Sequence, residues 1–256
     1  MPEQLIRDIS SADYTSRVTI TNPANMEACI KLKQSTNARI CVGRAGTRYR
    51  TETLLKFLVD HAAANDSVWS NVDENIIDRL GFLKVKTLVK DKEEYIKRPD
   101  LGRRFSRETM EEIKEKCISD PDVQIIAADG LSAFAIDANI EDIYSVISDG
   151  VQAKGYKIGT PIFVKYGRVA TMDMISEALN AKITVNLIGE RPGLVTNESM
   201  SAYMAYESST SKPESQRTVI SNIYNDGTPN VEAGAQIVYL IELMMKEKKS
   251  GIDLKL

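Results

Sequence analysis

The sequence predicts an α/β protein, in which a mostly parallel sheet carries helices on both faces and follows a small, mainly helical N-terminal domain. From residue 120 onward, short apolar runs alternate with longer helix-like segments, as is typical of parallel strands joined by crossover helices. Before residue 100, most segments have the apolar spacing of helices. A turn cluster at residues 98–102 (RPDLG) therefore predicts a boundary between a domain of residues 1–100 and a domain of residues 101–256.

Two helices separated by a basic turn are predicted in the N-terminal domain. The first covers residues 25–35, and Thr51 is expected to cap the second. The second helix has apolar residues at helical spacing, and this face is expected to pack inward. Its members are Leu54, Phe57, Leu58, His61 and Ala62. The turn at residues 43–50 carries three arginines, and three roles remain open for it: a phosphate site at a helix N-terminus, a contact with acidic side chains of another subunit, or a solvated turn.

The C-terminal domain is predicted to alternate between strands and helices. Ser106 is expected to cap its first helix, with Met110, Ile113 and Cys117 on the inner face. The predicted strands cover residues 123–128, 161–164, 183–188 and 201–206. The predicted later helices cover residues 140–154, 172–180 and 231–248. This order of elements is the reason for expecting right-handed crossovers and a mostly parallel sheet.

Composition and charge restrict the class of protein. The chain has 256 residues, of which 43% are hydrophobic and 27% charged, with a formal net charge of −3. A general binder of nucleic acid or of anionic membranes would need a basic surface, so neither partner is expected. No apolar run reaches the roughly 18–20 residues that span a bilayer, and the first residues lack the apolar core of a signal peptide. We therefore expect a cytoplasmic protein.

The cysteines and the single histidine restrict the chemistry further. Cys29, Cys41 and Cys117 are far apart in sequence and form no CxxC pair, which argues against a disulfide framework and a zinc cluster. His61 is the only histidine, so a histidine-rich metal site is excluded. No metal site is predicted.

Three predicted strands end in polar, glycine-rich loops. These loops are residues 129–132 (DGLS), 167–169 (GRV) and 189–193 (GERPG). Because the carboxyl ends of parallel strands meet at one edge of a sheet, we expect the loops to gather there, with residues 221–229 as a fourth contributor. The chain contains no GxGxxG, GxxxxGK[ST] or GxSxG motif. The loops therefore predict a binding site, and no catalytic residue is assigned.

Six blocks of sequence point to one family by their order. They are ARICVGRAGTRYRTETLLKFLVDHAAANDSVW, RPDLGRRFS, DPDVQIIAADGLSAFAI, GTPIFVKYGRV, LIGERPGL and RTVISNI followed by GTPNVEAGAQI. From about residue 22 to residue 254, the chain resembles the small subunit of ethanolamine ammonia-lyase. The resemblance implies one subunit of an adenosylcobalamin-dependent lyase that converts ethanolamine to acetaldehyde and ammonia by radical chemistry at a cobalt–carbon bond.

The resemblance also implies a partner and an assembly. In that family the large subunit is a TIM barrel that binds ethanolamine and carries the substrate-catalytic residues. The small subunit has a Rossmann-like domain that holds the cofactor against the barrel, so a higher hetero-oligomer is expected. The family often has a longer N-terminal extension that is linked to packaging in a bacterial microcompartment, and the short segment before the first block leaves packaging open.

Three cofactor-binding residues carry over from the family by position. The valine of YGRV is Val169, and the glutamate of GERPGL is Glu190, which would accept hydrogen bonds from the amide side chains of the corrin. The third family position is usually a cysteine in the RTxISNI block, and here it is Val219. Valine keeps the contact if it is a van der Waals contact and loses it if the contact needs sulfur. Asp60 and His61 are adjacent, so the DxHxxG pattern that supplies an imidazole to cobalt is absent.

Two other functions remain open from the residues alone. One is a free-standing α/β enzyme that acts on a phosphorylated or nucleotide substrate and uses the turn at residues 43–50 as its anion site. The other is a corrinoid-binding module without catalysis. The lyase subunit predicts no turnover until a large subunit and adenosylcobalamin are added. The free-standing enzyme predicts activity or ligand-induced stabilisation of the isolated chain, and the corrinoid-binding module predicts tight corrinoid binding by the chain alone.

Overall fold

The computed structural model describes residue 14 and residues 16–255, and this part of the chain divides into two compact units. The first unit contains the described residues up to Asp66 together with Gly193–Thr196, and the second contains Ser67–Pro192 and the described residues from Asn197 onward. The division falls after Asp66 and differs from the boundary predicted between residues 100 and 101. The reason is that a strand before residue 100 belongs to the main sheet.

The first unit contains two helices and a short hairpin. Its elements are α1 (Met26–Gln34), β1 (Arg44–Ala45), β2 (Arg48–Tyr49) and most of α2 (Thr51–Trp69). Asn25 ends the preceding coil and caps α1, since its side chain accepts a hydrogen bond from the Ala28 N–H at 2.9 Å. The basic turn forms the hairpin, in which β1 and β2 are antiparallel. Both predicted helices are present at the predicted starting points.

The apolar face of α2 is exposed, so the prediction that it packs inward was wrong. Leu54 is 45% exposed and Leu58 is 51% exposed, and His61 is exposed as well. Among the described residues before Ala64, no hydrophobic side chain is buried. One short helix and two two-residue strands supply too little apolar surface to cover a second helix.

The second unit contains the main sheet and the helices that cover it. Its elements are α3 (Glu74–Arg79), β3 (Leu83–Lys86), α4 (Lys92–Lys97), α5 (Arg107–Lys116), β4 (Val123–Ala128), α6 (Ala133–Ala153), β5 (Ile162–Lys165), α7 (Thr171–Leu179), β6 (Ile183–Gly189), β7 (Met200–Tyr206), β8 (Thr218–Ile223) and α8 (Asn230–Glu247). Single 3₁₀ turns lie at Leu101–Arg103, Glu214–Gln216 and Gly251–Asp253.

Six strands form one mostly parallel sheet in the order β3-β5-β4-β6-β7-β8. The four strands β3, β5, β4 and β6 are parallel, whereas β7 is antiparallel to both of its neighbours. This confirms the predicted α/β class, with a separate helical part. The strands β3 and β8 were not predicted, and the predicted strand at residues 201–206 is the antiparallel β7.

Helices cover both faces of the sheet, as predicted. β4 is buried along its whole length, and alternate residues face opposite sides. Ile125 and Ala127 belong to a core with α6 and α8, whereas Ile126 and Ala128 belong to a core with α5 and α7. Within residues 16–255, no helix combines the length and the apolar composition that crossing a bilayer requires.

Helices α6 and α8 approach closely at glycines. A Cβ atom on Gly234 would lie 2.6 Å from the Val146 side chain. We expect Gly234→Leu to lower the free energy of unfolding by about 1–3 kcal/mol, because a leucine there forces the two helices apart. Thermal unfolding would measure the loss. Ala235→Leu on the exposed side of the same helix is the control, and an unchanged melting temperature for Gly234→Leu would contradict the close contact.

Candidate functional site

A cleft of about 380 Å³ lies at the carboxyl edge of the parallel strands, and we call it the ligand cleft. All three predicted strand-end loops line it, and β7 and β8 add polar side chains. Its lining includes Gly130, Leu131, Arg168, Val169, Gly189, Glu190, Arg191, Ser201, Tyr203 and Ser221. The prediction that the loops gather at one edge is therefore confirmed, and Ser221 brings the fourth predicted segment to the same place.

The topology of the sheet explains why a cleft opens here. β4 and β5 are neighbours, but the helices that follow them pack on opposite faces, α6 on one and α7 on the other. The two loops therefore diverge above the ends of adjacent strands. In open α/β sheets, such a switch point is where ligands bind.

Two glycines let the loops after β4 and β6 touch through their backbones. A Cβ atom on Gly189 would lie 2.1 Å from the Ser132 carbonyl oxygen, which leaves room only for glycine. Gly130 has a φ of 55°, in the left-handed region that glycine adopts readily. The Leu131 N–H donates to the Gly189 carbonyl at 3.1 Å. These contacts set the wall of the ligand cleft.

Glu190 lies at the centre of a hydrogen-bond network that joins three strands. Its carboxylate accepts from the hydroxyl of Ser199 at 2.7 Å, from the hydroxyl of Ser201, and from the N–H of Asn222 at 3.2 Å. The hydroxyls of Ser201 and Ser221 are also 2.9 Å apart. Hydrogen bonds to an ionised acceptor are stronger than neutral ones, so Glu190 fastens the ends of β6, β7 and β8 to each other.

Arg191, the neighbour of Glu190 in sequence, makes no hydrogen bond or ion pair within the described residues. Its exposed side chain lines the ligand cleft instead. The carboxylate of Glu190 is therefore held by hydroxyls and a backbone N–H, and the guanidinium of Arg191 stays available to a ligand or a partner.

The two predicted valines occupy different positions relative to the ligand cleft. Val169 lines it, and the Val169 carbonyl accepts from the side-chain amide of Asn186 at 3.3 Å. Val219 is 42% exposed and lies outside the lining of the cleft, on β8. It stands directly opposite Tyr203 across the β7–β8 pair, and residues directly opposite each other share a sheet face. Val219 thus extends the surface that begins in the cleft.

Arg168 brings a positive charge to the ligand cleft and is held there by Tyr95. Its guanidinium donates to the Tyr95 carbonyl at 2.9 Å and lies 4.0 Å from the centre of the Tyr95 ring. The Tyr95 hydroxyl donates to the Gly167 carbonyl at 2.8 Å, and burial raises its pKa. The Nε of Arg168 is buried and has no hydrogen-bond partner in the described chain. A buried donor without a partner is costly, which favours an acceptor supplied by a ligand.

A buried ion pair lies behind the loops of the cleft. Lys92 is 8% exposed and Asp129 is 1% exposed, and their charged groups are 3.9 Å apart. The Asp129 carboxylate also accepts from the Gly167 N–H at 3.0 Å, so it links the loop after β4 to the loop after β5. Burial raises the pKa of Asp129 against the opposing effect of Lys92, and burial lowers the pKa of Lys92. Sequence analysis did not identify this pair.

The basic hairpin has a largely structural arrangement. Arg44 lies over the Tyr49 ring at 4.4 Å and donates to the Tyr49 hydroxyl at 3.2 Å. Arg50 donates to the hydroxyl of Thr21. Two of the three arginines that were considered for an anion site therefore already bind neighbouring residues.

The ligand cleft is equipped for hydrogen bonding. It offers one fixed carboxylate, serine hydroxyls, and two guanidinium groups, one of which has an unused buried N–H. No group of three or more His, Cys, Asp or Glu side chains within residues 16–255 could hold a metal ion. The arrangement suits a large ligand with many amide or other polar groups.

Comparison with known proteins gives consistent matches over nearly the whole chain. A family model of the ethanolamine ammonia-lyase light chain matches residues 26–255. The chain is 68% identical over 230 residues to the ethanolamine ammonia-lyase small subunit of Clostridium acetobutylicum. The matched region spans 90% of this chain and 95% of that relative. It is 53% identical over 253 residues to the small subunit of Clostridium perfringens, and the matched region spans 99% of this chain and 86% of that relative. With the small subunit of a Listeria monocytogenes strain the identity is 48% over 253 residues, with the same coverage.

Proposed function

Since this chain belongs to the ethanolamine ammonia-lyase light-chain family, we propose that it holds adenosylcobalamin against the large subunit of that lyase. Family membership makes the chain a lyase subunit, and the name of the small subunit implies a large-subunit partner. The cofactor, the TIM-barrel fold of the partner and the binding of ethanolamine by that partner are our proposals.

One observation supports the cofactor assignment most directly: two residues that line the ligand cleft are Arg168, whose buried Nε–H has no partner in the described chain, and Glu190, whose carboxylate is fixed by hydrogen bonds. Adenosylcobalamin has a ring of amide side chains and a phosphodiester, so it can supply both an acceptor for Arg168 and donors for Glu190. Asn186, which is buried and outside the lining of the cleft, holds the Val169 carbonyl through its side-chain amide. The donor and acceptor set of the cleft therefore fits this cofactor.

In this proposal the residues of the chain bind and orient the cofactor, and the cofactor supplies the bond-breaking chemistry. When bound, adenosylcobalamin would supply the radical chemistry of the reaction. Glu190 and Arg168 would fix the polar periphery of the cofactor, while Val169 would supply apolar contact. We propose that Val219, which is exposed on the same face as Tyr203, keeps a van der Waals contact at the position where relatives in the family usually carry cysteine.

Reconstitution tests the function directly. The chain alone is expected to produce no acetaldehyde from ethanolamine, because the substrate-catalytic residues are on the partner. Co-expression with a large subunit and addition of adenosylcobalamin should give ethanolamine-dependent acetaldehyde formation. Turnover by the chain alone, or activity of the complex without the cofactor, would contradict the proposal.

A further inference from the structure

A second groove, of about 680 Å³, runs along α7 between α5 and the segment 210–217, and we call it the α7 groove. One stripe of α7 forms its base, with spacing i, i+3, i+4, i+7 and i+8. The stripe is Ala170, Asp173, Met174, Glu177 and Ala178. At a rise of 1.5 Å per residue the stripe is about 12 Å long. None of its residues lines the ligand cleft, so the two features are separate.

The acidic groups of the α7 groove already have hydrogen-bond or ion-pair partners within the chain. The carboxylate of Asp173 is buried and forms an ion pair with Arg217 at 2.6 Å. Glu177 accepts from the backbone N–H of Thr210 at 2.9 Å and from the hydroxyl of Ser209 at 2.7 Å. The hydroxyl of Ser209 is the main cause that lowers the pKa of Glu177. Hydrogen bonding leaves Glu177 charged, so the lining holds five basic side chains against three carboxylates, the third being Glu214 in an ion pair with Arg217.

Apart from Arg217, the cations that line the α7 groove form no ion pair within residues 16–255. The side chains of Arg103, Arg104 and Lys114 are exposed and make no hydrogen bond or ion pair within residues 16–255. Lys212 donates only to a backbone carbonyl, that of Tyr206, at 3.3 Å. The groove thus carries uncompensated positive charge on a chain whose net charge is −3. A local field of this sign attracts acidic groups.

The α7 groove contains apolar side chains among polar groups that are satisfied within the described chain. Phe105, Met110 and Met174 contribute apolar surface between the cations. None of the buried side-chain atoms that lack a hydrogen-bond partner in the described chain belongs to this groove, whereas Arg168 of the ligand cleft has one. An apolar centre with a charged, solvent-exposed border is the pattern of a protein interface, while small-ligand sites converge buried polar groups on the ligand.

We propose that the α7 groove docks an acidic, partly apolar peptide segment of another polypeptide. Apolar side chains of the segment would lie on Met110 and Met174, and its carboxylates would face Arg104 and Lys114. A segment of two to three helical turns matches the length of the α7 stripe, as in other recognition of a peptide helix by a groove. This docking does not depend on the ligand cleft or on the proposed cofactor.

A direct binding assay on the full chain tests the docking groove. The probe is a fluorescent amphipathic peptide of about ten residues, roughly three turns, with leucines at helical spacing and glutamates elsewhere. The matched probe carries glutamine in place of every glutamate. We expect the acidic probe to bind more tightly than the glutamine probe by fluorescence anisotropy, and Arg104→Glu/Lys114→Glu to weaken it by about tenfold or more.

The control variant is Arg107→Glu/Lys116→Glu, which changes the net charge equally on the same helix region. Arg107 and Lys116 are exposed but already form ion pairs with Glu111 and Glu112, so their reversal should leave probe affinity within about twofold. Equal binding of the two probes, no binding of the acidic probe, or equal effects of the two double variants would overturn the proposal. Tighter binding of duplex DNA or of phosphatidylglycerol vesicles through Arg104 and Lys114 would also overturn it.

Discussion

Replacing Asp129 by alanine is expected to lower the free energy of unfolding by about 3–5 kcal/mol, the cost of removing one partner of a buried ion pair. The substitution leaves Lys92 with a buried charge and no counter-charge. It also removes the acceptor of the Gly167 N–H, which is buried. Urea unfolding followed by circular dichroism would measure the change.

A double-mutant cycle separates the ion pair from the loss of the side chain. Lys92→Met combined with Asp129→Ala should cost less than the sum of the two single variants, because neither charge is then left unpaired. Glu112→Ala removes an exposed ion pair with Lys116 and should change stability by less than about 1 kcal/mol. A loss of under about 1 kcal/mol for Asp129→Ala would show that the pair contributes nothing particular to the fold.

Replacing Glu190 by alanine is expected to weaken adenosylcobalamin binding to the assembled enzyme by roughly tenfold to a hundredfold, the range for a hydrogen bond to a charged group. The carboxylate is lost as an acceptor for the ligand. In addition, the hydroxyls of Ser199 and Ser201 and the N–H of Asn222 lose the group that orients them. Titration of the purified complex with the cofactor, followed by absorbance, would give the dissociation constant.

The isosteric variant and a surface control sharpen this result. Glu190→Gln keeps the size and one acceptor oxygen, so we expect an intermediate loss of affinity. Glu242→Ala removes a carboxylate whose ion pair with Lys154 is exposed on α8, and affinity should not change. An unaltered dissociation constant for Glu190→Ala, in a complex that unfolds at the normal urea concentration, would reject Glu190 as a cofactor residue.

The central strands were predictable because burial on both faces leaves a direct signal in the sequence. Apart from Gln124 and Asn186, β4 and the predicted part of β6 are apolar or β-branched runs bounded by turn residues, and their observed limits agree with the predicted ones within a residue. Ser106 was recognisable as a cap because serine accepts from an N–H three residues later, here that of Thr109 at 3.1 Å.

The edge strands escaped prediction for a physical reason. β3 alternates apolar residues with Lys84 and Lys86, a pattern that protects an exposed edge but weakens the strand signal. In β8 the adjacent polar residues Ser221 and Asn222 interrupt the apolar pattern, and a register shift in its pairing with β7 breaks the alternation. Only pairing with a neighbour makes either segment a strand.

The candidate site was partly predictable, because its position follows from topology while its partners do not. Loops after parallel strands must meet at one edge, which is how Arg168, Val169 and Glu190 were grouped. The partners of Glu190 come from β7, β8 and the segment before β7, and no local spacing marks them. The same holds for Lys92 and Asp129, which are 37 residues apart in sequence.

The reversal of strand direction at β7 places the beginning of one strand next to the ends of others. Ser201 and Ser221 therefore reach the binding edge from hydrogen-bonded strands, at the register shift between β7 and β8, and backbone pairing restricts their motion. A socket built on such elements is pre-organised, so less conformational entropy is lost when a ligand enters than with mobile loops. The antiparallel strands β7 and β8 thus form a rigid part of the binding edge, and the loops after the parallel strands form the rest.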